Sequence, residues 1–448
     1  MRYLALLLLI AGCDKLKPGG DDAVIALEGA TLIDGAGGEP KRDAVIIIRN
    51  GHIEAVARVN QITIPRGAER VNLAGKTVIP GLIDAHAHVE RWAAGRYVAW
   101  GVTTVRDLHG GTDDVVGLKT AFNLGSVLAP RMFVAGAMID GMPPTYPNAS
   151  GVANAEQARR AVDLRAVAGV DYLKIYTKIT PGLLRPLLDE AEKLRLPVAA
   201  HLGKTDALAA ARAGVVSIEH LAGVVQAATG DPTYAAAHDT FLSGWTTEEK
   251  GWAGLDSATV ARSARSLAQT RVTIVPTLVV HDMLARLNSP ILLSRPGMED
   301  VPNNAESVRS VPSLLRRTGW RSSDFEAFRR SRRRIDQFVR EYERAGGAIA
   351  AGSDAANQLL IPGYSLHEEL ALLVDAGLTP LEAITAATRR GAQLLRADSL
   401  GLVAAGKVAD LVVLNGNPLS NIIATRNIAM VMIRGRMIRP DSLRATWR

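Results

Sequence analysis

Two histidines, His86 and His88, sit two residues apart at the end of the apolar run TVIPGLIDAHAHVE. In a strand, side chains two apart leave the backbone on the same face, so both imidazoles aim one way. Two imidazoles converging from a strand end can hold one metal ion. That spacing alone is a weak sign, since single histidines also fill cores and surfaces. Further ligands have to come from elsewhere in the chain, and similar placements recur. The run DYLKIY carries Lys174, VAAHL carries His201, SIEHL carries His220 and AAGSDA carries Asp354. Four of the nine histidines thus lie at the ends of apolar runs, while His52, His109, His238, His281 and His367 lie elsewhere or in loops. Imidazole together with carboxylate suits Zn2+, Mn2+ or a similar divalent ion.

Those residues need a scaffold that brings run ends together. Eight short apolar runs alternate with helical patterns: GLIDAHA, VTTVRDL (102–108), RMFVAGAMI (131–139), DYLKIY (171–176), PVAAHL (197–202), VSIEHL (216–221), TIVPTL (273–278) and AIAAGSDA (348–355). Helix signals fall between them. Thr180-Pro181 supplies an N-cap and first-turn proline, and Thr379 with Glu382 supplies a capping box before AITAATRRGAQLL. Eight strands with intervening helices predict an α/β fold of the (β/α)8 TIM-barrel type, whose active groups lie at the C-terminal ends of the strands. Both chain ends read as β instead, with hairpin-like Asn50-Gly51 near one and Arg-Gly near the other. The expected organisation is a small β-sandwich domain from residues 23–79 and 397–448, around the barrel at 80–396. Two connections, 222–272 and 281–345, are long enough to cover a site. In the second, Phe325, Phe328, Ile335, Phe338 and Tyr342 recur at helical spacing among arginines. The basic face of that helix reads as solvated, or as resting on anionic lipid.

A net charge of +7 is compatible with anionic partners, but no nucleic-acid motif accompanies it, so nucleic acid is not expected. With one cysteine, no disulfide can form within the chain. The N-terminus, MRYLALLLLIAGCDK, has an arginine, an apolar run too short to span a bilayer and small residues before Cys13. This layout resembles the signal of bacterial lipoproteins. The resemblance implies cleavage before Cys13, lipidation there and an exported protein anchored at the cell envelope, facing the periplasm, with 1–22 as signal and tether.

The stretches IPGLIDAHAH, DYLKIY, VAAHL, SIEHL and AAGSDA resemble the amidohydrolase superfamily, as do TPLEAITAATRRGAQLL and KVADLVVLNGNP near the C-terminus. Within it the chain is most similar to the imidazolonepropionase-related group that includes metal-dependent dipeptidases of the prolidase type. The resemblance covers roughly residues 24 to 440. It implies the same barrel and terminal sandwich, and two divalent metal ions, in the first place Zn. His86, His88 and Asp354 would bind one ion, and His201 and His220 the other. Lys174 would be carboxylated and bridge both. An ammonium has no lone pair to donate, but a buried lysine has a depressed pKa, which frees the amine for carboxylation. The alternative reading of Lys174 is a structural ion pair with Glu219 or Asp171.

Two ions about 3.5–4 Å apart can hold a hydroxide and polarise a carbonyl. Asp354 would take the proton of the water and pass it to the leaving amine. The implied activity is hydrolysis of amide bonds in small molecules of the dipeptide or N-acyl amino acid type. Tyr146, Tyr176 and His281 are placed to touch substrate, with Asn148 near Tyr146; each also has a structural reading, which single residues of these types more often have. Alternatives are a mononuclear deaminase or cyclic-amidine hydrolase, a lactonase or phosphotriesterase-like enzyme, and a catalytically dead binding protein. The run His201-Leu202-Gly203-Lys204 lacks the Glu expected of the deaminase type, and the ligand set is complete. A homo-oligomer is compatible with all of these.

Overall fold

The computed structural model describes residues 24–309 and 311–447. Cys13 and the expected signal and tether at 1–22 lie outside them. The chain opens with β1 (Val24–Leu32), β2 (Lys41–Arg49), β3 (His52–Arg58), β4 (Glu69–Asn72) and β5 (Thr77–Pro80). Asn50 and Gly51 both have positive φ, 49° and 78°, as the tight turn between β2 and β3 demands.

Ten strands follow, and their run ends carry the site. They are β6 (Leu82–Ala87), β7 (Val102–Asp107), β8 (Arg131–Val134), β9 (Ile139–Gly141), β10 (Ser150–Val152), β11 (Leu173–Ile175), β12 (Val198–Ala200), β13 (Ser217–Glu219), β14 (Thr273–Val275) and β15 (Ala348–Ile349). Parallel pairing orders them β6-β7-β8 in one sheet and β10-β9-β11-β12-β13-β14-β15 in another. Backbone bonds also connect the two sheets. Asp171 N donates to Val134 O at 2.8 Å, at the end of β8, and Ala85 N in β6 donates to Ala351 O at 2.9 Å, just past β15. The fold is thus mixed α/β with a parallel sheet, as expected.

The chain ends in β16 (Leu411–Leu414), β17 (Ile428–Ile433) and β18 (Arg436–Ile438). These join the first strands in one sheet, ordered β18-β17-β16-β5-β1-β2-β3, with β4 beside β1. Both termini therefore share a core: Leu27, Ile46, Ile48 and Val78 pack with Leu411, Val413 and Met432. Ala26, Val45 and Ile47, on the alternate positions, face the other way into a smaller cluster.

Two expected elements divide. The run RMFVAGAMI is two strands because Gly136, at φ 70°, breaks it, and a Cβ there would come within 2.9 Å of Thr112 Oγ1. The last helical run splits into Pro380–Ala386 and Arg389–Leu394, since Thr388 leaves the helical region at φ −134°, ψ −96°. The capping box of Thr379 and Glu382 forms as expected.

The two long connections are helical rather than open. The first contains Phe241–Gly251 and Ser257–Ala268; the second contains Leu278–Arg286, Val311–Thr318 and Ser322–Arg344. On the last of these Phe325, Phe328, Ile335, Phe338 and Tyr342 are all buried, which matches their spacing. Its basic side is only partly solvated: Arg330 and Arg333 are exposed, but Arg332 bonds Asp336 and Arg340 bonds Ala376 O. Among the described residues no helix is long and apolar enough to cross a membrane.

Candidate metal and active site

His86 leaves β6 just before its end and His88 follows it, so alternation aims both rings at the space above the strand ends. Asp354 reaches the same space from the segment after β15. That approach requires Gly352, where a Cβ would lie 2.8 Å from His86 Cβ and 2.6 Å from Val275 Cγ1. Asp84, in the same run as the histidines, sews the two segments together. Its carboxylate accepts from Ser353 N at 2.9 Å, from the Ser353 hydroxyl and from His86 N at 3.3 Å. Asp354 and His220 both hold left-handed backbone at φ 58°, strain that clusters at functional positions.

The rings converge. His88 Nε2 is 2.9 Å and His86 Nε2 3.2 Å from Asp354 Oδ1. Donor atoms of His86, His220 and Asp354 lie within 4.8 Å of one another, all buried, a group that could hold a metal ion. The His86 and His220 centroids are 4.5 Å apart, and those of His220 and His201 4.8 Å. Lys174 is buried in β11 beside them.

The opposite ring nitrogens are already committed. His86 Nδ1 lies 2.7 Å from Glu219 Oε2, and His88 Nδ1 lies 3.4 Å from the carbonyl of His109. His220 Nδ1 meets Thr277 Oγ1 at 2.7 Å, while the Thr277 hydroxyl itself donates to Pro276 O at 2.8 Å. The shared hydrogen in the His220–Thr277 contact therefore belongs to the imidazole. Each Nδ1 donates, and each Nε2 keeps its lone pair. Two Nε2 atoms then face one carboxylate oxygen within 3.2 Å, which is repulsive unless a metal ion or a proton lies between them. The donor set fits a divalent metal.

The charges follow from burial and pairing. Burial alone would raise the Asp354 carboxyl, but when a proton fills that place, bonds from His86 and His88 outweigh burial and hold the pKa well below the usual range. Burial also works against His88 becoming charged, yet Asp354 raises its pKa. Burial pulls the Lys174 ammonium down to about 8. The two partners open to Lys174 are engaged elsewhere: Asp171 bonds Lys119 at 2.7 Å, and Glu219 bonds His86 and Arg106.

These groups lie in a cavity of about 610 Å3. It is lined by His86, His88, Lys174, His201, His220 and Asp354, and also by Tyr146, Tyr176 and Asn148. Tyr146 and Tyr176 stand with ring centroids 5.7 Å apart. His281 does not join them. It lies outside the lining, its Nδ1 2.7 Å from Glu249 Oε2, because its position on helix Leu278–Arg286 turns it away while Val280, Met283 and Leu284 face the cavity.

Sequence reasoning passed over several residues. His109, beyond β7, lines the cavity with Nε2 3.2 Å from Asn148 Oδ1. Arg106, fully buried, bonds Glu219 at 3.0 Å, Ser217 at 3.1 Å and Ala85 O at 2.6 Å. The signal was present: VTTVRD and SIE carry charges inside otherwise apolar runs, and buried charge demands a partner.

The amidohydrolase family pattern matches residues 77–438, most of the chain. The chain belongs to the amidohydrolase family. No curated protein sequence matches it. Among solved structures, a protein of Bifidobacterium longum assigned as a prolidase is 26% identical, with a TM-score of 0.70 over 95% of this chain and 98% of that one. An Xaa-Pro dipeptidase crystallised with bound methionine is 22% identical, with a TM-score of 0.70 over 93% of this chain and 100% of that one. Bottromycin amidohydrolase is 22% identical, with a TM-score of 0.72 over 95% of this chain and 89% of that one. The last two likenesses concern the fold. As a member of the amidohydrolase family the chain is a hydrolase.

Proposed function

We propose that this amidohydrolase cleaves amide bonds of small molecules, of the dipeptide or N-acyl amino acid type, at a centre of two divalent ions, in the first place zinc. The observation that carries the proposal is the set of Nε2 lone pairs turned on Asp354 by committed Nδ1 atoms. His86, His88 and Asp354 would hold one ion and His201 and His220 the other, with Lys174 carboxylated between them. The lowered pKa of Lys174 leaves a neutral amine accessible for that modification near neutral pH. Bound there, the ions would polarise the substrate carbonyl and make water acidic enough to ionise near pH 7.

The chain's own groups do the rest. Asp354, ionised at neutral pH, accepts the proton of the attacking water and returns it to the leaving amine, so that water and amide become acid and amine. Glu219, Thr277 and the His109 carbonyl keep the three rings oriented throughout. Tyr146 and Tyr176, whose pKa values burial raises, remain protonated and can donate to a substrate oxygen. The scaffold on this reading is a closed (β/α)8 barrel with a sandwich from both termini. Export and lipidation at Cys13 belong to the same proposal, placing the site at the cell envelope.

Metal content per chain, with cleavage of dipeptides and N-acyl amino acids before and after chelation, tests the proposal. Close to two ions per chain with chelator-sensitive cleavage supports it. One ion, with Lys174 unmodified by mass spectrometry, overturns the bridged centre and favours the mononuclear alternative.

A further inference from the structure

The metal-facing groups share the cavity with residues of the two helical insertions. Phe241 and Trp245 stand over His201, each with its ring centroid 6.0 Å away, and 4.9 Å from one another. Trp320 donates Nε1 to Thr246 Oγ1 at 2.9 Å, which ties the second insertion to the first, and Trp320 lines the same cavity as Phe241 and Trp245. Such an aromatic wall takes a large apolar group.

One guanidinium faces that wall. Arg317, on helix Val311–Thr318, lines the cavity and is exposed at its rim. Several arginines nearby are occupied, Arg309 on Val301 O at 2.8 Å, Arg329 on Ala285 O, Arg332 on Asp336 and Arg340 on Ala376 O, and of the exposed ones Arg317 is the arginine in the cavity lining. Arg317 has no carboxylate partner within 4.0 Å among the described residues. Its charge reaches Tyr146, whose pKa burial raises and Arg317 draws back. The other cation in the lining, Lys174, is buried in the centre itself. An uncommitted guanidinium beside an aromatic wall is suited to a carboxylate attached to a bulky apolar group.

We infer that Arg317 sets the substrate class: amides of amino acids that carry a large apolar side chain and a free carboxylate. The side chain lies against Phe241, Trp245 and Trp320, and the carboxylate pairs with Arg317. The word amide rests on the reading above; the preference for an apolar carboxylate does not.

Binding separates the two. Quenching of tryptophan fluorescence would be followed with 3-phenylpropanoate and with 3-phenylpropanamide, on the wild type, Arg317→Gln and Arg317→Lys. A charge-assisted pair predicts that the wild type prefers the acid by about tenfold or more. Arg317→Gln would bind both like the amide, and Arg317→Lys would recover part of the preference. Equal affinities in the wild type overturn the inference, as does an acid preference that survives Arg317→Gln, since the metal centre would then be the anion's partner. Turnover is the second arm. Arg317→Gln is expected to raise KM for N-acetylphenylalanine about tenfold or more with little change in kcat, and to leave its C-terminal methylamide unaffected. An intact acid preference without any amide cleavage would remove the proposed function and leave the role of Arg317 standing.

Discussion

Beneath the cavity, at the strand ends, Glu219 accepts from Arg106, Ser217 and His86, and Asp84 accepts from both the backbone and the hydroxyl of Ser353. Above it, around helices Leu278–Arg286 and Ser322–Arg344, Glu249 Oε1, His281 Nε2, Glu369 Oε1 and Ser331 Oγ are buried with no hydrogen-bond partner. The floor has exceptions of its own, Asp107 Oδ1 and Thr104 Oγ1, but none among the nitrogens that fix ring direction. The difference follows from what each layer must do. A ligand nitrogen works only if its tautomer and direction are set beforehand, so the floor surrounds its charges with partners. The roof has to exclude water and present apolar surface, and Phe325, Phe328, Met283 and Leu284 accomplish that while stranded polar atoms remain as a tolerated cost.

Breaking the floor at a group that faces the cavity or orients a ring there should therefore abolish function at little expense in folding. The largest effect is expected from Asp354→Asn, which keeps the shape and removes the proton acceptor. The expected loss in kcat is about 10^3-fold, read from steady-state rates at saturating substrate, with the melting temperature held. A loss below tenfold would move the base elsewhere. Thr277→Val tests the outer ring of the floor, since it deletes the hydroxyl that orients His220 and conserves the volume. Metal affinity should fall about 10- to 100-fold in a competition with a chromogenic chelator. Unchanged affinity would mean that His220 needs no such orientation.

What sequence alone could show divides along the same line. His86, His88, Lys174, His201, His220 and Asp354 were legible because each ends an apolar run, and period-two alternation decides where a strand-end side chain points. His281, just after the seventh run, was expected to touch substrate, but the residues after β14 form a helix, where three or four positions decide the face, and His281 turned to Glu249. The terminal sheet was legible from its Asn-Gly turn and apolar alternation. Its partner strands were not, because β5 inserts between β1 and β16 from far apart in sequence. The roof was least legible. Its helices were visible as periodicity, yet which arginine would be left uncommitted depends on tertiary contacts such as Arg340 on Ala376 O.

A stranded charge in the roof should be measurable as stability. Burial raises the Glu369 carboxyl to about 7 from its ordinary 4.5. The folded state thus binds a proton more tightly than the unfolded one. The associated stability is fully present below about pH 4.5 and is lost as pH rises through about 7. Glu369→Gln cannot ionise and keeps an acceptor for Val279 N, so it should be more stable than the wild type at pH 8, by about 2 to 3 kcal/mol, and nearly equal to it at pH 4.5. Denaturant midpoints at the two pH values decide this. A variant equally destabilised at both would show that Glu369 stays ionised and paired, and the roof would then resemble the floor.

The smallest effects come from one chemical change made in both layers. Ser217 Oγ lies in the floor, accepting from Arg106 Nη1 at 3.1 Å and donating to Glu219 at 2.5 Å; Ser331 Oγ lies in the roof without a partner. Both serines are fully buried, so removing either hydroxyl leaves a void of similar size. Ser217→Ala strips a bond from each of two buried charges and is expected to cost about 1 to 3 kcal/mol. Ser331→Ala removes a desolvated hydroxyl that contributes no bond, and is expected to be neutral or to stabilise by up to about 1 kcal/mol. Urea unfolding of the two variants gives both numbers on one scale. If the two losses are alike, Ser331 has found a partner in solution and the contrast between layers fails at this position. If they differ in sign, hydrogen-bond satisfaction rather than burial sets what a polar side chain is worth in each layer.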